Sequence, residues 1–337
     1  MITRQITVRV WIGGTEVTRD LSPYLKTLTY EDVLSGETDT VELELEDRER
    51  LFINEWFPTR GDTLQVELVK ENWQGDGLTE RLPLGTFEID EVTNSYPPSS
   101  CKLKGNSCSQ NSALRQVDKT RAWENVKLSQ IASDIAEEAG VRLVYEAGED
   151  PTISRAEQAE VSSLAFLDKL CADYYISLKI ADGALIIFDT EKLEQQEPAV
   201  VFERDLSIIK SFSATATLTE VYAAAEVSYK HGKKAEGYSA RATDPSKSAG
   251  KTLKINKKVD SQAEAERLAR NSLKEKNREE IKVDLKTIGA FNLLSGNVAE
   301  LKGFGVYDGR FLIKKARHAI GNGYECSLEC YKITEGY

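Results

Sequence analysis

Ser261-Gln-Ala-Glu-Ala-Glu-Arg-Leu-Ala-Arg-Asn-Ser-Leu-Lys-Glu-Lys-Asn-Arg-Glu279 decides the fold together with two later stretches. These are Gly296-Asn-Val-Ala-Glu-Leu-Lys-Gly-Phe-Gly-Val-Tyr-Asp-Gly-Arg-Phe311 and Gly321-Asn-Gly-Tyr-Glu-Cys-Ser-Leu-Glu-Cys-Tyr331. Ser261 with Glu264 has the form of a capping box, and Ala265, Leu268, Ala269, Ser272 and Leu273 follow helical spacing. The later stretches alternate apolar and polar residues between glycine turns, the pattern of short half-buried strands. A helix laid into a closing β-barrel or sandwich is expected, with no catalytic motif on it.

Working outward, residues 1 to about 115 are all-β in pattern. Val41-Glu-Leu-Glu-Leu-Glu46 alternates strictly, and Leu64, Val66, Leu68, Phe87 and Ile89 repeat the period. Leu128, Ile131, Ala132, Ile135, Ala136 and Ala139 then predict a helix closed by Gly140. Leu164, Leu167, Leu170, Cys171 and Tyr174 predict a second helix, with strands over 141–145, 176–180 and 185–188. The two helix–strand runs align at an offset of 35 residues, matching Val126 with Val161 and Ile135 with Leu170. Duplication and coincidence both fit that match. Residues 231–258 read as a long, polar, exposed hairpin or loop. The expected class is α+β and mainly β. Two β-barrel-like modules, 1–118 and 199–337, flank a small α/β module, 119–198.

Composition narrows the function. The chain has 337 residues, 40% hydrophobic and 29% charged, with a formal net charge of −11. That size supports several cores, and the acidic balance argues against general nucleic-acid binding. No apolar run is long enough to span a bilayer, and the N-terminus lacks an apolar signal-peptide region, which predicts synthesis in a cytoplasm. Cys101, Cys108, Cys171, Cys326 and Cys330 form no Cys-x-x-Cys pair; core packing is the expected role.

No chemistry-bearing constellation emerges. His231 and His318 have no local partner motif, no zinc-ligand spacing is present, and no phosphate-binding glycine loop sits between a strand and a helix. Glu42, Glu44, Glu46, Asp47 and Glu49 are acidic, but the three that alternate with Val41, Leu43 and Leu45 read as a solvated strand face. Lys251, Lys254, Lys257 and Lys258 lack the aromatic platforms of a nucleic-acid site. Trp11, Trp56, Trp73 and Trp123 are expected in the core or at subunit interfaces. No catalytic, cofactor-binding or metal residues are assigned.

The order of modules resembles the baseplate hub proteins of contractile phage tails, the late control gene D family. Three tracts carry it: Gly13-Gly-Thr-Glu-Val-Thr-Arg-Asp-Leu-Ser-Pro-Tyr-Leu25, Gly85-Thr-Phe-Glu-Ile-Asp-Glu-Val92, and Asp308-Gly-Arg-Phe-Leu-Ile-Lys-Lys-Ala-Arg-His-Ala-Ile320. The resemblance implies a non-enzymatic structural protein without a cofactor. It further implies a homotrimer whose six β modules form a pseudo-hexameric ring between the tail tube protein and the central spike protein. Other baseplate and tape-measure proteins would be neighbours, with no specific nucleic-acid binding and no membrane insertion. The protein would be made in the bacterial cytoplasm and built into a virion or tail-like particle. An acidic ring lumen is a further expectation. Wall digestion would fall to another protein. The competing readings are a cell-wall or polysaccharide-binding β-protein and a glycan-cleaving enzyme using paired carboxylates.

Overall fold

The computed structural model describes residues 3–73, 75–107, 113–219, 221–229, 237–257, 259, 261–278 and 280–334. It is mainly β and divides into two units. The first comprises residues 1–192, 287–295 and 315–327; the second comprises 193–286, 296–314 and 328–337.

The β part of the first unit follows the alternation in the sequence. Strand Thr40–Glu46 buries Val41, Leu43 and Leu45 completely while its glutamates stay half-exposed. It lies antiparallel between Leu25–Val33 and Ser100–Asn106, with Leu43 opposite both Leu28 and Leu103. Beyond Ser100–Asn106 the order continues through Thr79–Ser95, Thr63–Glu71, Gln5–Ile12 and the short Thr15–Glu16. On the other side, Lys315–Ile320 pairs antiparallel with Leu28–Val33. This order is open: among the described residues no pairing joins its ends into a closed barrel.

The same unit holds the α/β part, which has its own core of Leu128, Ile131, Ile135, Leu167, Cys171, Leu185 and Ile187 among others. Helix Leu128–Ala139 ends at Gly140, which is left-handed (φ 66°), and helix Ser163–Asp173 begins at Ser162, whose hydroxyl accepts from the Ala165 N–H. Strands Ser177–Ala181, Ala184–Phe188 and Arg142–Tyr145 lie side by side, and Asp118–Lys127 pairs antiparallel with Thr152–Ser162. The backbone repeats at the offset seen in the sequence. Asn125 (φ 53°) and Glu160 (φ 51°) both take the left-handed conformation just before a helix. Gly140 (φ 66°) and Tyr175 (φ 59°) both take it just after one.

In the second unit helix Gln262–Asn277 buries Ala265, Leu268, Ala269 and Leu273, and the Ser261 hydroxyl accepts from the Glu264 N–H at 3.1 Å. The helix packs on a three-stranded sheet ordered Tyr238–Thr243, Ala224–Tyr229, Thr252–Ile255. Two of those strands lie inside 231–258: Tyr238–Thr243 pairs antiparallel with Ala224–Tyr229, the hairpin alternative of the sequence reading, and Thr252–Ile255 lies parallel to Ala224–Tyr229. Tyr238, Ala240 and Ala242 are half-buried while Ser239, Arg241 and Thr243 face solvent, a period-2 pattern obscured by small and polar residues. Asp244 does turn the chain, its carboxylate accepting from the Ser246 N–H at 2.9 Å. His231 and Lys258 lie outside the described residues.

Close packing leaves no room at Gly289. A Cβ there would stand 2.2 Å from the Tyr324 ring. Gly289→Ala is therefore expected to cost about 1–3 kcal/mol through forced repacking, read as a lower urea midpoint for the first unit.

Candidate functional site

Asp32, Lys70 and His318 occupy inward positions of strands in the first unit. Asp32 follows Leu28 and Tyr30, Lys70 follows Leu64, Val66 and Leu68, and His318 follows Ala316, all in buried phase. Burying such groups is costly unless each finds partners. Each does.

Asp32 accepts from the Lys179 ammonium at 2.5 Å, from the Ser295 hydroxyl at 2.6 Å and from the Ser295 N–H at 2.7 Å. Lys179 also reaches Asp39 at 3.2 Å, and Asp39 accepts from the Val33 N–H at 2.9 Å. The three charged side chains are only 15%, 6% and 5% exposed for Lys179, Asp32 and Asp39. Burial pulls the Lys179 ammonium down, but the two aspartates outweigh it and hold the group above its usual value. Burial raises Asp39 to about 6, against the pull of Lys179. The nearby Tyr30 hydroxyl is pushed up by burial and by both carboxylates.

His318 is fully buried. Its Nδ1 lies 2.7 Å from the Tyr324 hydroxyl and 3.2 Å from the Cys326 sulfur, and its Nε2 lies 2.9 Å from the Leu293 carbonyl. Lys70 places its ammonium 4.2 Å from the Phe291 ring centroid, 5.1 Å from that of Tyr324 and 5.2 Å from that of Trp73. Burial lowers His318 to about 4 and raises Cys326 to about 11. Burial thus disfavours both the imidazolium and the thiolate. The pair is a packed polar core.

The acidic strand face is likewise occupied. Glu44 pairs with Lys26 at 3.1 Å, Glu42 with Lys102 at 3.3 Å, and Glu46 with Arg48. Among the described residues no group of three or more His, Cys, Asp or Glu is placed to hold a metal. Cys101, Cys171, Cys326 and Cys330 are free and buried; Cys108 lies outside the described residues.

The tryptophans divide between packing and surface. Trp123 stacks on Phe166 at 5.3 Å and donates to Asp134 at 2.9 Å, and Trp73 donates to the Gln5 carbonyl at 3.0 Å. Trp11 lies under the Arg9 guanidinium. Trp56 leans edge-on against Tyr24 and Phe52 yet is 42% exposed, beside Ile53 at 53% and Phe57 at 50%. These residues border a groove of about 420 Å³ lined by Ile12, Val17, Leu21, Trp56 and Phe57, with Asp20 and Asp62 as its charged residues.

In the second unit Glu194 takes the corresponding structural burden. It is 4% exposed and meets Lys274 at 2.7 Å, Arg278 at 3.1 Å and the Tyr331 hydroxyl at 3.0 Å.

The chain is thus mainly β with two units, buried polar clusters whose members are partnered, and an apolar-walled groove. The fold is that of phage tail proteins. It is similar over 97% of its length to the 43 kDa tail protein of prophage MuSo2 from Shewanella oneidensis, covering 98% of that chain (TM-score 0.73, 13% identity). It is also similar to a tail protein from Neisseria meningitidis MC58, covering 97% of this chain and 96% of that one (TM-score 0.72, 13% identity). Residues 108–324 match the family model described as phage tail baseplate hub (GPD), and the chain belongs to that family. Among curated proteins, the probable baseplate hub protein of Escherichia phage 186 is 22% identical over 176 residues, 52% of this chain and 43% of the relative. The match thus spans less than half of that relative's length. Among the described residues no helix is long and apolar enough to cross a membrane.

Lys179→Met would strand Asp32 and Asp39 without their cation. The expected cost at pH 8 is about 3–5 kcal/mol, measured by chemical denaturation. Asp39 sits above its unfolded value, so its ionisation costs stability above about pH 6, and the cost is relieved as pH falls through that value. The difference between variant and wild type is therefore expected to shrink at pH 5.

Proposed function

We propose that this protein is the non-enzymatic hub of a contractile tail or tail-like particle. Three copies form a ring with pseudo-sixfold symmetry, one face meeting the tail tube protein and the other the central spike protein. Other baseplate and tape-measure proteins contact the same assembly. The protein is made in the bacterial cytoplasm and built into the particle.

The observation that carries this reading is the presence of two β-rich units in one chain of a hub family. A trimer then presents six such units, which suits a junction between a sixfold tube and a threefold spike. Rings of this kind close through heterologous contacts, in which different surfaces of neighbouring copies meet. The buried Cys326–His318 pair supports a structural rather than catalytic role.

Native mass spectrometry followed by negative-stain imaging tests the ring. Three copies of the 37.6 kDa chain in an annulus are expected. A protein that stays monomeric even when mixed with its tube and spike partners would overturn the proposal.

A further inference from the structure

The second unit displays one apolar side chain on a stiff support. Val306 is 81% exposed, at the centre of a turn in which Gly303 (φ 82°), Gly305 (φ 68°) and Gly309 (φ 125°) are all left-handed. Phe304 roots the turn: it is buried and lies 4.5 Å from the Phe212 ring centroid. The Asp308 carboxylate accepts from the Phe304 N–H at 2.6 Å, and the Asp308 N–H donates to the Gly305 carbonyl at 3.0 Å. Such a turn has little conformational entropy left to lose on binding.

The charge around Val306 is mixed but carries exposed cations. The Lys332 ammonium donates to the Val306 carbonyl at 3.3 Å, and Lys302, 54% exposed, pairs with Glu300 at 3.1 Å. The groove beside Trp56 offers the complement. Its walls are apolar, and its only charged lining residues are the carboxylates Asp20 and Asp62.

We propose that the Gly303–Asp308 turn of one copy seats Val306 in the Trp56 groove of a second copy, with Lys302 and Lys332 facing Asp20 and Asp62. The contact is heterologous, as a closed ring requires, and it rests on the self-association proposed above. Val306 supplies the buried anchor, and the charges at the rim set register and encounter rate.

Sedimentation velocity over a concentration series tests it, using the full chain. Val306→Glu places a carboxylate against the acidic rim at a position exposed enough to leave folding intact. It is expected to weaken self-association at least tenfold. Paired reversals, Lys302→Glu with Lys332→Glu or Asp20→Lys with Asp62→Lys, should each weaken it about tenfold. All four together should restore it. If wild type associates and Val306→Glu associates equally well, this contact is overturned while the ring stands. If the combined reversal fails to restore what each pair removes, the charge pairing is overturned. A wild type that is monomeric at every concentration overturns the self-contact and the unaided ring together.

Discussion

Lys179 brings one positive charge into a space that already holds two carboxylates, and the first unit is arranged around making that tolerable. Asp32 comes from strand Leu25–Val33, Asp39 from the residue before strand Thr40–Glu46, Lys179 from the α/β part, and Ser295 from a segment more than a hundred residues later. Desolvating such a cluster costs several kcal/mol per ion unless every lone pair and proton is met. Here the remaining acceptor positions are met by the Val33 N–H and by the N–H and hydroxyl of Ser295. Net stabilisation is not the evident gain from such a cluster. What it does is reject misplaced arrangements, since shifting any of the four elements leaves a buried charge unpaired.

The same economy governs the neighbouring His318 cluster and, separately, Glu194 in the second unit. Both place ionisable groups where burial would be prohibitive alone, and both satisfy them with fixed donors and acceptors. Buried polar groups held by several elements at once favour a single well-defined packing in each unit.

Parts of this were legible beforehand. Strict alternation placed Val41, Leu43 and Leu45 inward, and helical spacing with Ser261 and Gly140 set the helix ends. The polar sites had a signal too, which went unread. Asp32, Lys70 and His318 each stand in the inward phase of a strand whose other inward residues are apolar. Hairpin spacing also places His318 opposite Cys326, since each stands four residues from Asn322. Within 231–258, strand Tyr238–Thr243 was hidden because alanine and serine carry too little hydrophobic contrast to show a period of two, and Thr252–Ile255 spans only four residues.

The sequence alone determined the mainly β class, the helix caps and the hub resemblance. These depend on local periodicity and capping, which act over a few residues. Only the tertiary structure decided that 287–295 and 315–327 belong with the N-terminal unit, and that Lys179 is the partner of Asp32 across 147 positions. It alone showed that Val306 stands exposed on a stiff turn while Trp56 borders a groove. Strand pairing and charge burial join residues distant in the chain, and no short-range pattern encodes which distant partner is chosen.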